Sequence, residues 1–125
     1  MIAADTSTWV SFFEGQQGED VVALTSSLQA RQVVMPPPVL TELLSDPELP
    51  PSVTQTLLEL PLVALREGFW HRAGKLRARA LARKRKARLG DALIAQCCID
   101  ADIALITRDG DFKAFSGPLR TGLRP

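Results

Sequence analysis

The sequence has only one histidine and two cysteines among its 125 residues. The single histidine, His71, disfavours a metal centre built from several histidines. The cysteines, Cys97 and Cys98, are adjacent, and this spacing is neither a disulfide framework nor a zinc-ligand pattern. Adjacent cysteines in an apolar helical pattern usually act as small hydrophobic residues, so we expect a reducing, cytoplasmic environment.

A long hydrophobic run is also missing. No apolar stretch approaches the roughly 20 residues that a membrane helix requires, so we expect no membrane association. The first residues have neither a charged leading segment nor the apolar core of a cleavable signal. Apolar residues make up 46% and charged residues 23% of the chain. These values are typical of a globular protein, and the length predicts one domain over residues 1–125.

Acidic residues are absent from one densely basic stretch. Residues 71–90 contain nine of the fifteen lysines and arginines, although the net charge of the whole chain is only +1. Such an uneven distribution of charge is typical of proteins that bind an anionic partner. The basic residues of this stretch would bind a phosphate backbone. A solvated helix face is the alternative explanation of any charge run. The candidate residues for contacts with phosphate groups are Arg72, Lys75, Arg79, Arg83, Arg85 and Arg88.

Strand-like and helix-like segments alternate along the chain. Apolar or β-branched runs predict strands at residues 1–4, 32–35, 61–65 and 103–107, and the tail from 118 to 125 predicts a short edge strand. Helices are predicted near 19–31, 38–44, 52–60, 67–88 and 91–101, with a short helix or turn at 8–13. The alternation implies right-handed crossovers and a mainly parallel sheet, in one three-layer α/β/α domain.

Four acidic residues occupy comparable places in this pattern. Asp5 and Asp109 follow the carboxyl ends of two predicted strands, whereas Glu42 and Asp91 lie near the first turns of predicted helices. Strand carboxyl ends and helix amino ends face the same edge of a parallel sheet, so all four carboxylates are expected to share one crevice. Clustered carboxylates repel one another, and a divalent cation such as Mg²⁺ removes that cost.

Each of these acids also has a purely structural explanation. Asp5 could cap the following helix, and Asp91 comes after a glycine at a good N-cap position. Asp109 begins a strong turn signal. Glu42 could be a surface helix residue, although its apolar neighbours predict partial burial. The residues alone leave both explanations open.

Four segments carry a resemblance to a known family. They are ADTS (residues 4–7), PVLTELL (38–44), LGDALIA (89–95) and LITRDGDF (105–112). With these segments in this order and separation, nearly the whole chain resembles the PIN-domain ribonucleases, especially the VapC-type toxins of bacterial toxin–antitoxin pairs. The resemblance implies a three-layer α/β/α fold, a single PIN domain over residues 1–125 and endoribonuclease activity that depends on Mg²⁺ or Mn²⁺.

The resemblance also implies roles for individual residues. The family's first three acids fall on Asp5, Glu42 and Asp91, and its more variable fourth falls on Asp109. In the leading hypothesis, Asp5 and Asp91 would bind the metal, Asp109 would do so directly or through water, and Glu42 would position a metal-bound water. Asp111 would be auxiliary, and the small hydroxyl residues that line the site and would orient carboxylates or water are Thr6, Ser7 and Thr107.

The partners implied by the resemblance are an RNA substrate, a second copy of the chain and an antitoxin. Many members of the family cut transfer or ribosomal RNA at structured single-stranded sites, in keeping with general RNA recognition. The chain would form a homodimer, and a cognate antitoxin would insert a peptide, often with an arginine, near the acids. The arginine-rich stretch before Gly90 is denser than expected for the family and would contact either RNA or the partner.

Two other functions compete with nuclease activity. A non-catalytic module could grip RNA or protein through residues 72–88, but the presence of all four acids speaks against lost chemistry. Phosphoryl transfer through an aspartyl phosphate also uses an aspartate at a strand end. Its phosphatase form requires a second aspartate two residues on, where this chain has Ser7. Its receiver form requires a lysine after the last core strand, where Arg108 stands and the first lysine is Lys113.

Overall fold

Two short parallel strands lie at the centre of the structure, a computed structural model that describes residues 1–121. Strand β1 (Ile2–Ala4) pairs with β2 (Ala104–Ile106), and Ala3 lies opposite Leu105. Both strands end at the same edge, where Asp5 and Thr107 follow them. The six α-helices of the described residues are α1 (Thr6–Phe13), α2 (Glu19–Gln29), α3 (Pro37–Leu44), α4 (Pro51–Leu58), α5 (Phe69–Ala82) and α6 (Leu89–Ala101), and a 3₁₀-helix spans Gly110–Phe115.

Isolated parallel bridges extend this small sheet. Val33 pairs with Ile2, Leu62 with Met35, and Thr121 with Leu105. The predicted strands at 32–35 and 61–65 are therefore wrong as continuous strands, although their residues lie where the sheet would continue. Three prolines after residue 35, and another at 61, remove the backbone donors that a longer ladder needs. Of the predicted tail strand, Leu119 and Thr121 form isolated bridges, with Ser116 and Leu105, and residues 122–125 lie outside the described part.

Prolines set the starts of two helices. Helices α3 and α4 begin at Pro37 and Pro51, where a missing N–H costs nothing because the first turn has no partner for it. Helix α2 begins with Glu19 and Asp20, as predicted, and acids there favour the helix dipole. Helix α6 begins earlier than expected, since Arg88 is its N-cap residue. The prediction that Asp91 caps this helix is therefore wrong, and Asp91 lies within the first turn.

Helix α5 has one buried stripe, and α6 is buried on most of its surface. The predicted apolar stripe of α5 is confirmed, because Phe69, Ala73, Leu76 and Ala80 are all buried. Six consecutive or near-consecutive residues of α6 are also buried, which is the pattern of a helix at the centre of a domain. Its two cysteines are free, and burial raises the pKa of each thiol to about 12, so they pack as small hydrophobic groups.

Helices that are distant in sequence pack against the sheet. Helices α2 and α6 both contact β2, and α5 packs along α6. The expectation of an α/β fold with a mainly parallel sheet is confirmed, in a form that has much helix and little strand. Within residues 1–121, none of the helices has the length and apolar character needed to cross a bilayer. The packing leaves the carboxyl edge of the strands facing the start of α6.

Candidate active site

Asp5 follows β1 directly and is 2% exposed. Its carboxylate caps α1 by accepting a hydrogen bond from the Thr8 amide, at 3.0 Å. The hydroxyl groups of Ser7 and Thr107 also donate to it, at 2.9 and 2.6 Å. Burial raises the pKa of Asp5, and these hydrogen bonds oppose the rise. Asp5 is therefore a helix cap, as the structural explanation predicted, while its carboxylate also lies at the common edge of both strands.

A single hydroxyl group links Asp5 to Asp109. Thr107 donates to Asp5 and accepts a hydrogen bond from the Asp109 amide, at 2.9 Å. Asp109 in turn accepts from the Asp111 amide at 2.9 Å and caps the 3₁₀-helix, so the predicted turn is confirmed. Thr107 is 8% exposed and therefore holds both neighbours from within the protein. The ends of β1 and β2 thus bring two of the predicted acids to one place.

Asp91 lies close enough to the other three acids for their charges to change its pKa. Its pKa is raised to about 6, first by burial and then by the charges of Asp109, Glu42 and Asp5, in that order of effect. The nearby charge of Arg88 acts in the opposite direction but does not cancel the rise. All four acids predicted from the sequence are therefore close enough for the other three to oppose the ionisation of Asp91.

Glu42 reaches this edge from α3. Thr6 donates a hydrogen bond to its carboxylate, and Glu42 itself is exposed, so the predicted partial burial is wrong. Leu43 points into the core, whereas the next residue turns outward and is 41% exposed. A Cβ atom placed on Gly90 would lie 3.1 Å from a Glu42 carboxylate oxygen. The missing side chain at Gly90 lets Glu42 lie over the start of α6.

This contact predicts the effect of Gly90→Ala. Alanine favours the helix, by up to about 1 kcal/mol, but its methyl group displaces the Glu42 carboxylate. The resemblance to ribonucleases implies a catalytic role for Glu42, and on that expectation RNA cleavage should fall by roughly tenfold or less, because a misplacement of about 1 Å costs about a hundredfold and this one is smaller. Gly74→Ala in α5 is the matched control, since a methyl group there meets no atom within 4 Å. Equal cleavage rates in the two variants would contradict this role of Gly90.

Three carboxylates at the edge have the spacing of a cation site. Oxygen atoms of Asp91, Asp109 and Asp111 lie within 4.8 Å of one another. Carboxylate oxygens are the ligands that Mg²⁺ and Mn²⁺ prefer, so the donor set fits such an ion. Asp111 also forms a salt bridge with Lys86, at 3.3 Å. Asp5 is not among these three, and its link to them runs through the Thr107 hydroxyl group.

The acids of this edge differ from two structural aspartates. Arg108 binds Asp20 and Arg72 binds Asp100, each through two hydrogen bonds. The Arg72 contact holds the pKa of Asp100 below its ordinary value, and the contacts of Asp20 outweigh the burial that would raise its pKa. Within residues 1–121, neither Asp5 nor any of the other three predicted acids forms such a pair. The edge therefore holds negative charge that the described residues leave largely uncompensated.

The predicted RNA-binding residues fall into two groups: some form side-chain hydrogen bonds or salt bridges within the protein, and the others form none in its described part. Arg72 is held by Asp100 and by the Glu67 carbonyl, and its role in RNA binding stays a prediction. Arg83 donates to the Ala114 carbonyl. Within the described chain, the predicted RNA-binding residues that form no hydrogen bond or salt bridge through their side chains are Lys75, Arg79, Arg85 and Arg88.

The sequence did not predict the ion pair between Asp20 and Arg108, which lies behind the acids of the edge. Asp20 was interpreted only as a helix-start acid, yet it is 3% exposed and paired with Arg108. No local pattern signals this pair, because its two residues lie 88 positions apart in the chain. An open cavity of about 610 Å³ beside Asp109 was also missed, and it is lined in part by Thr107, Arg108 and Lys113.

A family model and several solved structures resemble the chain. The model, described as PIN domain, matches residues 2–118. No curated protein matches the sequence. FitAcB from Neisseria gonorrhoeae has a TM-score of 0.70 and 21% identity, with 98% of each chain covered. FitAB bound to an IR36 DNA fragment has a TM-score of 0.72 and 20% identity, covering 98% of this chain and 94% of that one. VapBC2 from Rickettsia felis, bound to a DNA fragment from its promoter, has a TM-score of 0.71 and 20% identity, with 98% of each chain covered.

Proposed function

Because this chain belongs to the PIN domain family, we propose that it is an endoribonuclease that depends on Mg²⁺ or Mn²⁺ and is the VapC-type toxin of a toxin–antitoxin pair. One observation carries the proposal: three other carboxylates raise the pKa of Asp91, and within residues 1–121 none of the four acids has a salt-bridge partner. Such repulsion has no structural benefit, and a bound cation turns it into attraction.

The proposed metal ligands are Asp5, Asp91 and Asp109, with Asp111 in an auxiliary position. When bound, the ion would polarise the phosphoryl oxygen, favour deprotonation of water and stabilise the leaving oxygen. Thr107 fixes the positions of Asp5 and Asp109 through its two hydrogen bonds. Ser7 donates to Asp5 and limits its rotation.

Glu42 is the proposed group that orients the attacking water and accepts its proton. Glu42 is exposed, Thr6 donates to one of its carboxylate oxygens, and the other oxygen lies beside Gly90 at the start of α6. A general base must lie within hydrogen-bond reach of the proton that it removes. Glu42 is exposed on the same side of the protein as Asp91. Its carboxylate can therefore come within hydrogen-bond reach of the attacking water once RNA is bound.

Chelation separates this proposal from the non-catalytic alternative. Single-turnover cleavage of transfer RNA and ribosomal RNA fragments is measured with Mn²⁺ and with EDTA, and RNA binding is measured in parallel. We expect EDTA to abolish cleavage and leave at least part of the binding intact. Binding of RNA without cleavage at any tested Mg²⁺ or Mn²⁺ concentration would favour the binding module.

The proposed RNA surface follows the exposed side of α5. Lys75 and Arg79 are four residues apart, which places them about 6 Å apart along the helix axis. They are exposed, and Arg85 and Arg88 continue the basic surface toward the start of α6, where Asp91 lies. An RNA strand held by this surface would thus lead to the acids.

The double variant Lys75→Ala/Arg79→Ala tests this surface. Each lost phosphate contact lowers the slope of log affinity against log salt by about 1, so we expect a decrease of about 2. Single-turnover cleavage at saturating RNA should change little, because neither residue reaches the acids. Arg66→Ala, another exposed arginine outside the basic helix, is the control. An unchanged salt slope in the double variant would remove α5 from the proposed RNA surface.

We also propose an antitoxin partner, a homodimer and a cytoplasmic location. The similar structures are of FitAB bound to an IR36 DNA fragment and of VapBC2 bound to a fragment from its promoter, and with the resemblance to toxin–antitoxin pairs they support a partner of the antitoxin type. Such a partner would insert a peptide, often with an arginine, near the acids. The neighbouring reading frame tests this part: a small DNA-binding protein encoded directly upstream supports it, and the absence of any such frame on either side contradicts it.

A further inference from the structure

A closed ring of contacts lies behind Asp5. The Thr8 amide donates to one Asp5 oxygen at 3.0 Å, and the Thr8 hydroxyl group donates to Asp20 at 2.9 Å. Asp20 accepts two hydrogen bonds from Arg108, at 2.8 and 3.0 Å. Thr107, the residue before Arg108, donates to the other Asp5 oxygen at 2.6 Å and closes the ring.

Four of the five members of the ring are almost fully removed from water. Asp5, Thr8, Asp20 and Thr107 are 2%, 0%, 3% and 8% exposed. The Arg108 side chain is 34% exposed and supplies the positive charge that Asp20 requires. A buried ion pair contributes little net stability in general, because desolvation offsets the attraction between its charges. The position of this pair therefore calls for a further explanation.

The pair is also locked in one geometry. Arg108 donates to the Gln17 carbonyl at 3.1 Å, which holds the guanidinium group in the loop before α2. A Cβ atom on Gly18 would lie 2.6 Å from an Asp20 oxygen and 2.9 Å from an Arg108 nitrogen. Only glycine fits there, both for this space and for its φ of +153°. Two hydrogen bonds in fork geometry fix orientation as well as distance.

We propose that Asp20 and Arg108 are positioning residues that fix the Asp5 carboxylate for cation binding. Asp20 holds Thr8 on one side of Asp5, and Arg108 sets the backbone at Thr107 on the other side. Each Asp5 oxygen is thus oriented by a donor that depends on the same ion pair. This inference rests on the proposed function, since it concerns the residues that present Asp5 to the ion.

The experiment compares two aspartates that have the same kind of arginine partner. Asp20→Asn breaks the pair behind Asp5, and Asp100→Asn breaks the Arg72 pair between α5 and α6, away from the four acids. Mn²⁺ affinity is measured by calorimetry, melting temperature by scanning calorimetry, and cleavage by single turnover. Residues that orient metal ligands typically change metal affinity or activity by about 10- to 100-fold, and we expect Asp20→Asn to weaken Mn²⁺ binding by this amount.

The control and two further variants separate positioning from folding. Asp100→Asn should lower the melting temperature to a similar degree but leave Mn²⁺ affinity within about twofold. Arg108→Lys keeps the charge without the fork, so it should recover the fold better than Asp20→Asn while Mn²⁺ binding stays weakened. If Asp20→Asn does not fold, Gly18→Ala takes its place, because its methyl group enters the same pair. Gly15→Ala, which has positive φ but no atom within 4 Å, is its control.

The outcomes distinguish this inference from the proposed function. Mn²⁺ affinities of the folded Asp20→Asn and Arg108→Lys variants equal to that of Asp100→Asn would overturn the positioning role alone. Wild-type protein that binds no Mn²⁺ and cleaves no RNA would overturn the proposed function, and the inference with it. Weak Mn²⁺ binding in both ring variants, with normal binding in Asp100→Asn, is the result that we expect.

Discussion

The Asp5→Asn variant is expected to lose RNA cleavage by at least about a thousandfold while the chain stays folded. A cation at the reacting phosphate contributes several kcal/mol of transition-state stabilisation, and about 4 kcal/mol corresponds to a thousandfold in rate. Asparagine keeps the size of Asp5 and one oxygen that can still cap α1. It removes the negative charge that the ion requires. Single-turnover cleavage and a thermal melt of the same sample measure both effects.

The stability of this variant also has an expected direction. Burial raises the pKa of Asp5, which means that the folded state opposes its negative charge. A neutral asparagine removes this opposition, so the metal-free melting temperature should equal or exceed that of the wild type. Asp102→Asn is the matched control, because Asp102 ends α6 in the left-handed conformation that asparagine also accepts. Cleavage by Asp5→Asn within tenfold of this control would refute the role of Asp5.

Mn²⁺ should stabilise the folded protein less as the pH falls, because Mn²⁺ and a proton compete for the Asp91 carboxylate. At pH 7.5, Mn²⁺ at a hundredfold excess over its dissociation constant should stabilise the folded state by about 2.7 kcal/mol, or on the order of 10 °C. Metal binding requires an ionised carboxylate. Because the pKa of Asp91 is raised to about 6, affinity should fall below that pH by up to about tenfold per pH unit.

The metal-free protein should show the reverse trend. The folded-state pKa of Asp91, about 6, exceeds its ordinary value of 3.8. The folded protein therefore binds a proton more readily than the unfolded chain between these values, and stability rises as pH falls from 7 toward 4. The raised pKa of Asp5 acts in the same direction. Melts from pH 7.5 to 4.5, with Mn²⁺ or EDTA, should converge, and a constant metal shift across this range would contradict the assignment of Asp91.

Position relative to the strands was enough to predict where the acids lie. Asp5 and Asp109 follow continuous apolar runs, which are typical of buried strands. Parallel topology brings the carboxyl ends of such strands to one edge of the sheet. Asp91 was found because helix starts face the same edge. The topology did not decide between capping and site roles, because one carboxylate can serve both, as Asp5 does when it caps α1.

Other features depended on contacts that no local pattern encodes. The strand predicted at 32–35 became single bridges because prolines beside it limit pairing. The exposure of Glu42 followed from the way α3 packs, which places Leu43 inward and leaves Glu42 beside Gly90. The Asp20–Arg108 pair joins residues 88 positions apart, so neither residue alone signalled the other. Spacing along the chain carries no information about such pairings.

The anomalous scattering of Mn²⁺ in crystals of the wild-type protein tests the central claim most directly. The claim is that acids distant in sequence form one cation site at the carboxyl edge of the sheet. The expected result is an anomalous peak within coordination distance of Asp5, Asp91 and Asp109, which disappears in crystals of Asp5→Asn. No peak at this edge at millimolar Mn²⁺, or a peak held by residues elsewhere, would contradict the claim.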